Sequence, residues 1–429
     1  MKNNIIDLIL KSTSTKDERL VGVEIENFVY EKNGKRITVN PSSRYSASDL
    51  LSDLINEKDK NDEKYDYSIE PGGQIEWASA PYTSLQDIYS DYTRHLDSLT
   101  GLLENNSLFT IGSTVEPISP PNSIELINDT KYQLMDNMFE GVGTYGRWMM
   151  RNTTSVQVNI DILSKEDGEQ MAFLSDCISP FASLLFANAS FINTDPIGKD
   201  NFRHIIWSNT DNTRCGYLFD HNIISSNNLI EKFSDIVLNA PSIFSINNKY
   251  EINQFVGPIK KWLNLLHDNN QLDDKIINSA IRQIFTHVRF KQGMLELRCT
   301  DRPPIGYEFA PVAFWVGLLT DDDIRNNLLE IFHSWSDVDR KIAIRNADYL
   351  DLERIGPQNK SMFDWINYFS DLALNGLSRR SNLLSIKAET DLLIPYLELF
   401  QNKGMPGEFL QHNYLNSKKP LIDFLKEHI

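Results

Sequence analysis

Residues Tyr67 to Pro81 read YSIEPGGQIEWASAP, and apolar and polar side chains alternate along them. In an extended chain, successive side chains point to opposite faces of a sheet. One face then carries Ile69, Ile75 and Trp77, and the other carries Glu70, Gly72, Gln74, Glu76 and Ala78. The pattern predicts a strand with an apolar side in the core. Its carboxylate side either meets water, as in many antiparallel sheets, or forms part of a site.

Three further segments show the same alternation. They are VGVEIENF at 21–28, TSVQVNIDIL at 154–163, and THVRFKQGMLELRCT at 286–300, which we interpret as a hairpin turning at Gln292 and Gly293. Their polar faces carry Glu24, Glu26, Gln157, Asn159, Asp161, Glu296 and Arg298, with His287, Arg289 and Lys291 on the other arm of the hairpin. We therefore expect one antiparallel sheet with a continuous polar face.

Helical spacing dominates the rest of the chain. A helix is predicted over Ser84–Asn106, and a mostly buried helix interrupted near Pro180 is predicted over Glu166–Phe191. Beyond residue 310 the pattern is helical to the end. The sequence thus predicts an α+β fold and a single domain over residues 1–429, with a sheet-forming part to about 310 and a helical part over about 311–429.

Composition and charge exclude several classes of partner. The chain has 429 residues, of which 41% are hydrophobic, and a formal net charge of −17. This charge disfavours nucleic acid and anionic membrane surfaces as main partners. No segment is long and apolar enough for a signal peptide or a membrane span, so we expect a cytoplasmic protein, a monomer or homodimer, that acts on small molecules. The three cysteines have no metal-site spacing.

The polar face is rich in carboxylates. Glu24, Glu26, Glu70, Glu76, Asp161 and Glu296 would repel one another on one sheet face. Divalent cations with oxygen ligands would relieve this repulsion, and Mg²⁺ or Mn²⁺ fits better than zinc because no Cys or His cluster accompanies the acids. Magnesium held by carboxylates can also bind ATP where a chain has no Walker loop, as here. Arg298 lies on the same face and would reach a transferred phosphate.

Several motifs, taken together and in order, resemble the glutamate-cysteine ligases of the plant and proteobacterial type, within the glutamine-synthetase-like carboxylate-amine ligases. They are GVEIENF, IEPGGQIEWASAP, VGTYGRWMMRNTTSVQVNID, IWSNTDNTRCGYLFD, VRFKQGMLELR, PVAFWVGLLTDDD and GLSRRSN. The resemblance covers nearly the whole chain. It implies a curved antiparallel sheet with flanking helices, whose concave face holds Mg²⁺, ATP and glutamate.

The resemblance also implies roles for individual residues. The implied metal ligands are Glu24, Glu26, Glu70, Glu76, Glu296 and Gln157. The implied catalytic residues are Arg298 and Glu296. Substrate contacts are predicted for Arg151, Arg214, Gln74, Thr154 and Asn159, and ATP contacts for Arg289, Lys291 and Arg298. Gly72 and Gly73 are then explained as a place where a ligand or another backbone approaches closely.

The implied reaction has two steps. The γ-carboxylate of glutamate attacks the γ-phosphate of ATP to form an acyl phosphate, and the amine of cysteine then displaces phosphate to give γ-glutamylcysteine. Two alternatives stay open from the sequence. One is a γ-glutamyl ligase that uses a different amine, and the other is a catalytically silent homologue that binds ATP or glutamate.

Overall fold

A computed structural model describes residues 1–11 and 19–428. Seven strands form the main sheet, and every pair within it is antiparallel. They are β1 (Val21–Glu31), β2 (Asp66–Ile69), β3 (Ile75–Ala78), β4 (Leu108–Ile111), β5 (Val156–Asp161), β12 (Val288–Lys291) and β13 (Met294–Leu297). The order is β12-β13-β5-β1-β3-β2, with β4 pairing the far end of β1. The predicted antiparallel sheet is therefore confirmed.

The register of the sheet aligns its polar side chains. Glu26 of β1 lies opposite Glu76 of β3, and Glu24 lies opposite Gln157 of β5. On the hairpin of β12 and β13, Arg289 lies opposite Glu296. The alternate positions of the same strands, such as Val23, Val158 and Leu295, are buried in the main core. The two-faced sheet expected from the sequence is thus present.

The stretch from Tyr67 to Pro81 forms two strands, not the one that was predicted. The chain turns between β2 and β3, where the Gly73 amide donates to the Glu70 carbonyl and the Glu70 amide donates to the Gln74 carbonyl. Gly73 has φ of +79°, which favours glycine. A Cβ on Gly72 would lie 2.5 Å from the carbonyl oxygen of Arg151. The Gly-Gly pair thus permits a tight turn, which was not predicted, and the close approach of a neighbouring backbone, which was.

Helices cover the apolar face of the sheet. Contacts with it come from α3 (Leu85–Asn105), α6 (Lys165–Leu185) and α11 (Ala310–Leu319). The helix predicted over Ser84–Asn106 is confirmed as α3, with Ser84 and Asn106 as its caps. The predicted interruption at Pro180 is wrong, because α6 continues through this proline and is buried on both sides of it. A proline costs one backbone hydrogen bond, and tight packing around α6 compensates for it.

Further α-helices and short strands lie outside the main sheet. The other helices before residue 310 are α1 (Lys2–Ile9), α2 (Ala47–Lys60), α4 (Thr130–Glu140), α5 (Gly146–Asn152), α7 (Phe202–Ser208), α8 (Leu229–Asn239), α9 (Ile259–Asp268) and α10 (Asp274–Ile281). Six two-residue strands pair outside the main sheet: β6 (Phe191–Ile192), β7 (Asp195–Pro196), β8 (Cys215–Gly216), β9 (Ser245–Ile246), β10 (Ile252–Asn253) and β11 (Phe285–Thr286).

The C-terminal region is helical, as the sequence predicted. After α11 it consists of α12 (Asp322–His333), α13 (Asp337–Asn346), α14 (Met362–Leu384), α15 (Ile394–Lys403), α16 (Pro406–Ser417) and α17 (Leu421–His428). Helices α11 and α14 cross at Gly317 and Gly376, where a Cβ on Gly376 would lie 1.9 Å from the Gly317 carbonyl oxygen. Among the described helices, none is both long and apolar enough to cross a membrane.

Candidate active site

A cavity of about 520 Å³ lies over the polar face of the sheet. This volume is within the usual range for small-molecule sites. Side chains from the sheet form its charged part: Glu24, Glu26, Glu70, Glu76, Gln157, Arg289, Lys291 and Arg298. Helices and loops add Lys131, Tyr132, Met135, Met149, Met150, Arg203, Trp207, Phe244, Ile246, Tyr250 and Arg282. The cavity therefore combines a charged region with a largely apolar wall.

Three carboxylates meet in this cavity. One oxygen each of Glu26, Glu70 and Glu76 lies within 4.8 Å of the others. Glu26 and Glu76 are brought together by the β1–β3 register, and the turn after β2 adds Glu70. Burial and then the charge of Glu70 raise the pKa of Glu26 to about 8. Burial, followed by the neighbouring glutamates, also raises the pKa of Glu76 well above its usual value. Negative charge on all three carboxylates at once is therefore unfavourable without a further cation, because burial and their mutual repulsion outweigh the attraction of the nearby arginines.

Glu296 is placed differently from the other carboxylates. Its oxygens lie 2.5 Å from Arg289 Nε, 2.5 Å from Lys291 Nζ and 3.2 Å from an Arg298 terminal nitrogen. Burial alone would raise the pKa of Glu296, but these three cations bring it well below its usual value. Glu296 is fully buried and is not among the residues that line the cavity. In this structure Glu296 is the counter-ion of three cations, and its roles as metal ligand and catalytic group stay predictions.

Amide side chains connect the two charge clusters. The Gln157 Nε2 donates to Glu26 at 3.0 Å, and its Oε1 accepts from Arg298. Asn159 bridges in a similar way, because its Nδ2 donates to Glu24 at 3.1 Å and its Oδ1 accepts from Lys291 at 3.3 Å. Each amide thus satisfies a carboxylate on one side and a cation on the other. Gln157 holds the guanidinium of Arg298 beside the three-carboxylate cluster.

Four of the residues predicted to contact substrate have protein groups as their partners in this structure. Arg151 pairs with Asp136 and donates to two backbone carbonyls, and Arg214 pairs with Asp211 at 2.6 Å. Neither guanidinium lines the cavity. Thr154 is fully buried and donates to the Ser113 carbonyl, facing away from the cavity.

The fourth is Gln74, which borders the cavity without a free amide. Its Oε1 accepts from the Gly72 amide, and its Nε2 donates to the carbonyls of Met150 and Thr153. All of its strong hydrogen-bonding groups are thus used to hold the turn against α5. The substrate contacts of these four residues stay predictions.

Four cations in the cavity were not predicted: Lys131, Arg203, Lys275 and Arg282. Arg203 of α7 is almost fully buried and donates to the carbonyls of Arg298 and Cys299 at 3.1 and 3.2 Å. It flanks the Trp207 ring, as Arg298 does. Lys131 of α4 is half-buried, and burial lowers its pKa despite the opposing charge of Glu70. Strand alternation could not identify Arg203 or Lys131, because both lie on helices. The weak signal for Arg203 was its place just before the IWSNTDNTR motif.

A second cavity of about 570 Å³ adjoins the first along the sheet. It is lined by fewer residues than the first cavity, and a larger share of them is apolar. The apolar lining residues are Leu20, Gly22, Val23, Ala78, Pro81 and Met294, and the polar ones include Ser79, Asn159, Asp161 and Gln292. Glu24, Asn278, Arg282 and Lys291 line both cavities. These four residues mark the junction. A long ligand could therefore extend from the charged cavity into the more apolar one.

Known proteins match this chain over most of its length. A glutamate–cysteine ligase from the chloroplast of Arabidopsis thaliana is 29% identical over 368 residues, covering 80% of this chain and 67% of its own. The Medicago truncatula enzyme of the same name is 28% identical and covers 98% of this chain and 84% of its own.

Solved structures share the fold. A glutamate–cysteine ligase from Francisella tularensis, solved in complex with AMP, matches with a TM-score of 0.59 at 12% identity, over 95% of this chain and 87% of its own. A bifunctional glutathione synthetase from Pasteurella multocida matches with a TM-score of 0.51 at 11% identity, over 99% and 52%. These identities support the glutamine-synthetase-like fold alone. The model of glutamate-cysteine ligase family 2 matches residues 20–368, and the chain therefore belongs to this family.

Proposed function

We propose that this protein joins the γ-carboxylate of glutamate to the amine of cysteine in an ATP-dependent reaction. One observation carries the proposal: three buried or half-buried carboxylates, Glu26, Glu70 and Glu76, converge in a cavity beside the guanidinium groups of Arg203 and Arg298. Unbalanced carboxylates next to arginines are suited to hold divalent cations and phosphate together. Family membership and the chloroplast relatives named glutamate–cysteine ligase support the same reaction.

The residues present fit a magnesium or manganese ion. Like charges directly opposite on neighbouring strands are unfavourable, yet the sheet pairs Glu26 with Glu76 and adds Glu70. All three offer oxygen ligands, and no Cys or His joins the cluster among the described residues. Glu26, Glu70 and Glu76 would hold the ion, and Glu24 stands next to them on β1. When bound, the ion would supply positive charge for the phosphate oxygens of ATP.

In the first step of the proposed reaction, a γ-carboxylate oxygen of glutamate attacks the γ-phosphorus of ATP. The bond to the bridging oxygen breaks and ADP leaves. Negative charge spreads over the phosphoryl oxygens as this occurs. Arg298, oriented by Gln157 and Glu296, is positioned to donate to those oxygens, and Arg203 is held beside it by backbone carbonyls. Because both guanidiniums are fixed before the reaction, they need not reorganise during it.

In the second step, the amine nitrogen of the acceptor attacks the acyl carbon. The bond from that carbon to the phosphate oxygen breaks, inorganic phosphate leaves, and the nitrogen loses a proton. Water in the cavity would hydrolyse the acyl phosphate before the amine arrived. The apolar wall of the cavity would limit the access of water to this intermediate. It is formed by Met135, Met149, Met150, Phe244 and Ile246.

The test is release of ADP by the purified protein with Mg²⁺, ATP and glutamate. Cysteine is compared with a panel of other amino acids and amines, and the product mass is recorded. Release that depends on cysteine, with the mass of γ-glutamylcysteine, supports the proposal. Release with a different amine keeps the two-step chemistry and changes the acceptor, whereas no release with any acceptor supports the silent-homologue alternative.

A paired substitution tests the role of Arg298. Arg298→Gln should lower kcat by about 10²–10³, as is typical when one fixed donor to developing charge is lost. Its effect on the ATP dissociation constant should be much smaller, because the contact is strongest in the transition state. Lys260→Gln, on the exposed side of α9, removes a charge outside the cavity and serves as the control. Equal losses of turnover and ATP affinity in Arg298→Gln would contradict this role.

A further inference from the structure

Among the described residues, one of the two cations at the junction of the two cavities makes no ion pair. Of the four side chains that line both cavities, Lys291 pairs with Glu296 at 2.5 Å and with Glu24 at 3.1 Å. These contacts neutralise both Lys291 and Glu24, and the fourth residue, Asn278, is uncharged. Within residues 1–11 and 19–428, no carboxylate lies within ion-pair distance of the Arg282 guanidinium, and no hydrogen bond from it is seen. Arg282 is therefore an exposed positive charge that makes no ion pair at this point, although its charge acts on Glu70 at longer range.

The backbone of Arg282 is nevertheless firmly held. It caps the C-terminus of α10, whose other face is buried through Ile276, Ile277, Ala280 and Ile281. Its carbonyl accepts a hydrogen bond at 3.3 Å from Arg289, which is itself paired with Glu296. The Cα of Arg282 is thus fixed relative to the sheet, while its guanidinium is free to bind a ligand. In a chain of net charge −17, an arginine in this setting indicates an anionic ligand.

We propose that Arg282 binds the α- and β-phosphates of ATP where the nucleotide passes from one cavity to the other. The inference rests on the proposed function, which requires the γ-phosphate near Glu26, Glu70 and Glu76. From that point, the polyphosphate chain crosses the junction and the base enters the second cavity. A guanidinium fork matches phosphate oxygens in pairs.

The lining of the second cavity supports this direction. Leu20, Val23, Pro81 and Met294 offer apolar surface for a flat base, and Ser79 and Gln292 offer hydrogen-bonding groups. Glutamate and cysteine have no apolar part large enough to need such a surface. Of the substrates in the proposed reaction, ATP alone has both a polyanionic chain and an aromatic base, and it alone is long enough to extend through both cavities.

The test is calorimetric titration of the full chain, Arg282→Gln and Lys260→Gln with ATP, ADP and adenosine at constant Mg²⁺ and salt. Lys260→Gln makes the same change of charge on the exposed side of α9, away from both cavities. Loss of a charge-assisted contact should weaken ATP and ADP binding about ten- to hundredfold in Arg282→Gln. Adenosine binding should be unchanged, and Lys260→Gln should bind all three ligands as the unsubstituted chain does.

Each other outcome overturns the inference in a distinct way. If Arg282→Gln binds ATP as well as the unsubstituted chain does, Arg282 does not contact the phosphates. If adenosine binding is lost equally, the residue supports the base or the fold. If ATP affinity is kept while the KM for glutamate rises, the residue serves an amino-acid carboxylate instead. If the unsubstituted chain binds no ATP at all, the proposed function itself fails.

Discussion

Glu296→Gln is expected to destabilise the fold. This outcome would distinguish a role of Glu296 as counter-ion from a role as metal ligand. Glutamine keeps the shape of the side chain but removes the only negative charge that contacts both Arg289 and Arg298 in this buried cluster. At an effective dielectric constant near 20, one unit-charge pair 4 Å apart is worth about 4 kcal/mol. Desolvation offsets part of this in the intact protein, but a charge left without its partner typically costs about 3–5 kcal/mol.

We expect the free energy of unfolding, measured by urea denaturation, to fall by about 3 kcal/mol or more in Glu296→Gln. Since domains are stable by about 5–15 kcal/mol, this is a large fraction of the total. Arg289→Gln and the double variant complete a cycle. The double variant should be more stable than the sum of the single losses predicts, because removing Arg289 relieves the excess positive charge that Glu296→Gln creates.

The metal affinity of Glu296→Gln gives the second readout. As a counter-ion, Glu296 should affect Mn²⁺ binding by less than about threefold, or roughly 0.7 kcal/mol. The reasoning is refuted if Glu296→Gln unfolds within about 1 kcal/mol of the unsubstituted chain and loses Mn²⁺ binding, since about 1 kcal/mol is the ordinary cost of a substitution. The carboxylate would then belong to the metal site, as the family resemblance implied.

Three further predictions follow from other parts of the structure. Glu70→Gln should weaken Mn²⁺ binding at least about tenfold, measured by electron paramagnetic resonance, because it removes one of three carboxylate ligands. The loss of stability should be small, since the substitution also relieves repulsion among these carboxylates. Unchanged Mn²⁺ binding would exclude Glu70 as a ligand. Burial lowers the pKa of His95 to about 3 in the folded chain. At a pH below about 6.5, the pKa of histidine in the unfolded chain, the unfolded chain therefore binds a proton that the folded chain does not. The free energy of unfolding then decreases as the pH falls. The stability of the unsubstituted chain relative to His95→Phe should decrease by about 2 kcal/mol from pH 7 to pH 5, and a difference that is constant with pH would contradict this. Gly72→Ala should destabilise the folded chain by at least about 2 kcal/mol in thermal unfolding, because the added Cβ would overlap a backbone carbonyl. Gly101→Ala, in open space on α3, should stabilise the chain by about 0.5–1 kcal/mol. Equal effects of the two substitutions would disprove the steric account.

Alternation along the strands was enough to predict the two faces of the sheet. It correctly placed Glu24, Glu26, Glu76 and Gln157 on one side, because side-chain direction in a strand depends only on position. It could not predict the turn at Gly72, since a bend does not disturb the alternation on either side of it.

The balance of charge was beyond the reach of the sequence. Six carboxylates were expected to share one environment, yet Glu296 is neutralised while Glu26 and Glu70 are not. The cations that lie near each carboxylate are set by the register between β12 and β13 and by the position of helix α7. This helix carries Arg203, which is more than 170 positions along the chain from Glu26. The cytoplasmic location, the oligomeric state and the single-domain organisation stay predictions.

The crossing of α11 and α14 at Gly317 and Gly376 has a mechanical consequence. Most helix pairs are separated by a layer of side chains that can change rotamer and absorb a displacement. Here the two backbones touch, so the contact has no such cushion, and α11 rests directly against β5. A displacement of α14 would therefore also displace α11, which contacts the strand that carries Gln157. The position of Gln157, which accepts a hydrogen bond from Arg298, is thus linked to the packing of a C-terminal helix that contributes no side chain to the cavity.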